Sequence, residues 1–315
     1  MLLAACAALS EGQTPPVVTL EIETEWVGYD VDTADISKYG SSIGKIQAAP
    51  PPPNFASFVN IGDIVRVNGK PSRGTQLIYG IVTRMRPIPT PGTAIADASR
   101  NNFSRIRLEV HDLDSREIGT IALDGFFGGS APPGAPSSLF SSLTVPGGTG
   151  VFFGVRGQAF HGAITLLPGN RAASITEDPS QRRDLGNAAG IKYTLQLIPL
   201  TYPRIEGVFH ADFQPVSASA PAQRGEVLMI RASGLGPLVG ARFDGEAPST
   251  AIEVNSPVEV TVSGSVADVI NKIGWPGARD IYRIDFRVPE AASGAADLQL
   301  TSAWIPSAAV EIPIR

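Results

Sequence analysis

Between Leu143 and Ala159 the chain reads Leu-Thr-Val-Pro-Gly-Gly-Thr-Gly-Val-Phe-Phe-Gly-Val-Arg-Gly-Gln-Ala, a strand, a glycine turn and a second strand. Gly147, Gly148 and Gly150 permit positive φ, so a tight reversal is predicted there. Val151, Phe153 and Val155 alternate with Phe152, Gly154 and Arg156, which predicts a strand with one bulky apolar face. The rest of the chain is built the same way. Glycine (33 residues) and proline (27) interrupt short apolar runs, and charged residues make up only 17% of the 315. No long stretch keeps a helical period. Short strands between Gly/Pro turns predict an all-β protein. The 43% hydrophobic content supports real cores, and the length suggests two domains.

In the first part, strands are predicted at Val17–Trp26, Ile61–Val67, Thr75–Thr83, Phe103–His111, Ile118–Phe126, Ser142–Val145, Val151–His161 and Ile191–Ile198. Eight strands close a small antiparallel barrel able to hold one ligand. Extended or polar loops are predicted at 48–54, 86–92, 128–136 and 177–187. A boundary falls at Thr201-Tyr202-Pro203-Arg204. Beyond it, Glu226–Arg231, Tyr282–Val288, Asp297–Thr301 and Ala309–Ile314 read as short strands of a β-sandwich.

Several of these segments carry a resemblance. Gly147-Gly148-Thr149-Gly150-Val151-Phe152-Phe153-Gly154-Val155-Arg156-Gly157 resembles the glycine hairpin of the dirigent proteins and the related allene oxide cyclases. Gly62–Gly69, Gln76–Val82, Glu117–Gly125 and Gly190–Leu197 are similar to other strands of that superfamily, in the same order. The resemblance covers about residues 17–200 and implies an eight-stranded antiparallel barrel whose apolar interior folds a substrate. Residues 205–315 resemble an immunoglobulin-like C-terminal domain of secreted bacterial proteins. Glu226–Pro237 and Tyr282–Pro289 carry that likeness, which implies a spacer or adhesion module.

The dirigent resemblance implies a pocket position for Arg156, and Phe152 and Tyr79 are candidates to line that pocket. Glu21, Glu23 and Glu25 share one face of the first strand, where allene oxide cyclases carry a functional carboxylate. Turned inward, three carboxylates are costly and point to function; turned outward they are an ordinary solvated face. The cyclases' cysteine is absent near Tyr79-Gly80-Ile81, and Val151 stands where many dirigent proteins have a charged residue. Three functions stay open. The first is a barrel that binds a small hydrophobic ligand or partner, tethered to the second module. The second is a cyclase or isomerase using Arg156 with Glu21 or Glu23. The third is a structural or adhesion protein of the cell surface.

His111, His161 and His210 are far apart in sequence, and no spacing suits a metal site. No hydrolase elbow or phosphate loop occurs, so no cofactor is expected. The net charge of −5, without basic clusters, argues against nucleic acid. No run reaches the length of a membrane helix. Association through the barrel into a homo-oligomer stays open. Residues 1–16 read as a signal-peptide remnant and linker, which predicts secretion or a cell-surface location. Cys6, the single cysteine, ends a lipobox-like Leu3-Ala4-Ala5-Cys6, with plain secretion the favoured reading.

Overall fold

The computed structural model describes residues 17–31, 55–84, 100–127, 142–164, 190–240 and 247–315. The apolar start with Cys6 and the four loops predicted at 48–54, 86–92, 128–136 and 177–187 lie outside these residues. Among the described residues every regular element is a strand, apart from one 3-10 turn.

The first sheet holds β1 (Val18–Val31), β2 (Phe55–Val67), the two-residue β3 (Lys70–Pro71), β4 (Arg73–Arg84), β5 (Arg100–His111), β6 (Glu117–Phe127), β7 (Ser142–Gly148), β8 (Arg156–Ile164) and β9 (Gly190–Ile198). Neighbours pair antiparallel in the order β2-β4-β5-β6-β7-β8-β9. β1 closes the ring by pairing with β9 on one edge and β2 on the other. The result is a closed eight-stranded antiparallel barrel, which leaves no open sheet edge among the eight. Alternation decides which side chains enter it. Leu20, Ile22, Ile64, Ile78, Ile106, Leu108, Ile121, Leu123, Leu143, Leu195 and Leu197 are all buried in one cluster, and the residues between them face out.

The glycine hairpin departs from the predicted strand. Gly150–Phe152 form the 3-10 turn, and β8 begins only at Arg156. Gly150 (φ +62°) and Gly154 (φ +72°) take the left-handed conformation, which breaks the extended run. Amides of Phe152, Phe153 and Val155 bond back to the carbonyls of Thr149, Gly150 and Phe152. The apolar phase therefore shifts: Val151, Phe152 and Val155 are buried, while Phe153 is 64% exposed. Gly147 and Gly148 do not adopt positive φ; Gly148 serves close approach. A Cβ there would lie 2.5 Å from the Thr120 carbonyl oxygen and 2.6 Å from that of Phe152.

The second sheet holds β10 (Arg204–Phe209), β11 (Val227–Ser233), β12 (Ile252–Glu253), β13 (Val258–Val262), β14 (Ser265–Gly274), β15 (Tyr282–Arg287), β16 (Gly294–Ser302), β17 (Ile305–Pro306) and β18 (Val310–Ile314). It runs β10-β11-β15-β14-β13-β16-β17, with β12 on β14 and β18 on β16. β14 belongs to both halves. Its first residues pair with β13 and its last with β15, and the register shifts between Val269 and Asn271. A strand that changes partners at a bulge turns a corner, so the sheet curls over its own core of Val208, Leu228, Ile230, Phe286, Leu298 and Leu300.

The two sheets touch where the glycine turn sits. Gly236 lies against Val151: a Cβ on Gly236 would meet Val151 Cγ2 at 3.0 Å. Ala303 is buried in the barrel's own core cluster, with Trp304 packed beside it. Val18, Tyr202 and Ile305 form a small apolar cluster across the same seam. Arg116 pairs with Glu253 at 3.4 Å, Lys70 with Glu259, and Asn255 Nδ2 donates to the Glu117 carbonyl. Thus one end of the barrel is packed shut by its own 3-10 turn and by the second sheet.

Candidate functional site

The residues suggested by the sequence do not converge. Glu21, Glu23 and Glu25 alternate with buried Leu20, Ile22 and Thr24, so the carboxylate face of β1 is the outer one. Cross-strand cations meet Glu23 and Glu21. Arg66 meets Glu23 at 3.2 Å and Lys192 meets Glu21 at 2.8 Å. Hydrogen bonding to Glu21 raises the Lys192 pKa. This is an ordinary ladder of opposite charges on a solvated sheet face. Tyr79 also points outward, 42% exposed, opposite Arg105 on β5. Arg156 is exposed at the start of β8, where its guanidinium donates to the carbonyls of Pro146 and Val155 and braces the hairpin. Phe152 is buried in the apolar end-packing. Arg156 and the N-terminal glutamates therefore share no cavity, and the geometry that a cyclase built on them needs is not formed.

Polar groups do meet inside the barrel. Gln76 of β4 is fully buried, on the same strand face as Ile78. Its Oε1 accepts hydrogen bonds from Thr24 Oγ1 of β1 at 2.7 Å and from the Tyr193 hydroxyl of β9 at 2.9 Å. Burial pushes the Tyr193 phenol well above its ordinary pKa, so it remains a donor. The Gln76 Nε2 is buried with no partner, as is the Ser104 hydroxyl of β5. Ser104 stands in register between Gly80 of β4 and Gly125 of β6. Three adjacent strands thus place glycine, serine and glycine side by side at that level.

His161 of β8 faces inward directly opposite Tyr193, with ring centroids 6.3 Å apart. Burial lowers its pKa from the usual 6.5, which keeps the imidazole neutral at neutral pH. Among the described residues no cluster of three or more His, Cys, Asp or Glu side chains could hold a metal ion. No helix among them is long and apolar enough to cross a membrane.

Sequence reasoning passed over Thr24, Gln76, Ser104 and Tyr193, yet a signal was present. Thr24 lies in phase with Leu20 and Ile22, Gln76 with Ile78, and Ser104 with Ile106 and Leu108. A polar residue on the apolar phase of a strand must be hydrogen-bonded or waiting for a partner.

Fold and lumen together define the class: a closed eight-stranded antiparallel barrel with a polar patch in its interior, joined to a second curled β-sheet. No family model matches the sequence, and no curated protein matches it. A solved polysaccharide lyase aligns with 95% of this chain and 40% of its own, at 9% identity and a TM-score of 0.19. The chain thus spans under half of that enzyme's length, and a score so low transfers neither fold nor activity.

Proposed function

We propose that the protein binds a small, mostly apolar molecule in the barrel lumen, at the level of Gln76. The observation that carries this reading is the buried Gln76 amide, held by Thr24 and Tyr193 while its Nε2 meets no acceptor. Leaving such a donor unpaired costs about 1–3 kcal/mol, a cost that a bound ligand would cancel. Four residues further along β4 and β5, the Ser104 hydroxyl is a second buried donor without a partner, set between Gly80 and Gly125. Entry is from the end opposite the second sheet, because the other end is packed.

In the same reading, residues 17–200 are an allene oxide cyclase/dirigent-like barrel that has kept the container and not the family's catalytic groups. Residues 205–315 serve as an immunoglobulin-like spacer on an exported protein. The order of the barrel strands and the apolar, small-residue run of residues 1–10 support this.

The test is titration of the full chain with Nile red, a neutral apolar dye that brightens when it leaves water. The expected result is saturable brightening near one dye per chain, weakened by Ser104→Leu, which replaces the buried hydroxyl with bulk between Gly80 and Gly125. Absence of saturable brightening, or brightening indifferent to Ser104→Leu, would place any binding outside the lumen and reject the proposal.

A further inference from the structure

Resting on that binding reading, we infer that the lumen selects an uncharged ligand carrying a carbonyl-type acceptor, read by Gln76 Nε2, and discriminates against carboxylates. The first argument is the orientation of the amide. Two hydroxyls converge on one amide atom, at 2.7 Å from Thr24 and 2.9 Å from Tyr193. If that atom is the carbonyl oxygen, both hydroxyl hydrogens are used and both oxygen lone pairs are filled. Were the amide reversed, Thr24 could still donate to the Ile191 carbonyl at 3.3 Å, but the Tyr193 hydrogen would have no acceptor among the described residues. The network therefore fixes the amide so that it shows the lumen a donor and no acceptor.

The second argument is charge. The inward-facing residues whose side chains are described, from Leu20 and Thr24 of β1 to His161 of β8 and Tyr193 of β9, include no Lys, Arg, Asp or Glu. The ionisable groups among them are Tyr193 and His161, which burial holds neutral. Beside these groups a carboxylate would lose its water and gain no counter-charge from them, whereas a ketone or ester oxygen loses little and gains the amide hydrogen. The third argument is the Ser104 hydroxyl, buried without a partner between Gly80 and Gly125, a second donor for a ligand that is apolar apart from one or two acceptor atoms.

The test is competition against Nile red on the full chain by three probes of equal chain length: methyl undecyl ketone, tridecane and tridecanoate. The ketone is expected to compete about tenfold better than the alkane, and better than the carboxylate at neutral pH. In Gln76→Leu the ketone-to-alkane ratio should fall to about one, and the ratio is independent of the dye's own affinity. Thermal melts report whether that variant folds; if it does not, the wild-type ratios decide the matter. A wild-type ketone-to-alkane ratio near one, a preference for tridecanoate, or a ratio unchanged in folded Gln76→Leu would overturn the selectivity while leaving the binding site standing. Absence of Nile red binding would remove the binding reading itself, and this inference with it.

Discussion

Two histidines respond to pH in opposite directions, each for a local reason. His210 has an acceptor at both ring nitrogens: Glu226 Oε1 lies 2.6 Å from Nδ1 and the Ala220 carbonyl 3.1 Å from Nε2. The Glu226 hydrogen bond, then the one to Ala220, raises its pKa above 6.5. A raised native pKa means that the stabilisation is complete below the unfolded value of 6.5 and is lost as pH rises through the native value. His210→Asn should therefore lower Tm more at about pH 5.5 than at about pH 8.5; equal losses in the two melts would refute this. His161 is buried against Tyr193 with its pKa lowered, so its neutral form contributes stability above 6.5 that is lost as pH falls toward the native value. On acidification from about pH 7 to about pH 5, wild type should lose more Tm than His161→Leu. A variant that is equally acid-sensitive would show that the imidazole is not penalised by burial. The sequence placed His161 in phase with Ala159 but could not say that this phase was the inner one. That assignment depends on which face closes the barrel, and a strand with mixed faces does not declare it.

At the scale of the element, the 3-10 turn after β7 shows both what a motif reveals and what it conceals. The glycines announced a reversal, and one is there. The predicted alternation through Val151, Phe153 and Val155 failed because left-handed Gly150 and Gly154 curl the segment and send Phe152 inward instead of Phe153. Neighbouring glycines are sites of close approach. A Cβ on Gly119 would sit 2.3 Å from the Thr149 carbonyl oxygen, and one on Gly150 2.3 Å from that of Ile118. Gly119→Ala should accordingly destabilise the chain by about 2 kcal/mol or more, although alanine suits strands at least as well as glycine. Chemical denaturation would test it, and a neutral substitution would mean that the backbone yields there without cost. Phe152→Ala removes the largest side chain of the turn and should cost about 3–5 kcal/mol. The strands themselves were legible, because barrel strands with one dry face write their period into the sequence. Their outer-face acids and Tyr79 drew attention as chemical groups, whereas the groups that converge are a glutamine, a threonine and a tyrosine that merely break the apolar phase.

For the molecule as a whole, the two segments that carried separate family likenesses meet face to face. Gly236, from Gly234-Leu235-Gly236-Pro237, rests on Val151 of the hairpin, and the Tyr282 hydroxyl, from the other C-terminal motif, donates to the Gly236 carbonyl. These residue patterns therefore help to hold one sheet against the other, a role invisible when each half is read alone. The tip between β16 and β17 presses on the same seam. Ala303 (φ +45°) and Trp304 (φ +66°) both take the left-handed conformation that such two-residue turns require. Neither is glycine, so the packing of Trp304 against the barrel must offset the strain. Trp304→Ala should weaken the seam by about 2 kcal/mol and split one calorimetric transition into two. A single transition shifted as a whole would show that the sheets stay coupled without it. The order in which the chain is made adds a consequence. β9 is the last strand of the ring, so the barrel cannot close on the ribosome until Ile198 has emerged, and the Ala303–Trp304 tip follows much later. For that interval the nascent barrel is closed along its wall but bare at the end where Val18 and Val151 lie, an apolar surface covered only when β16 and β17 arrive.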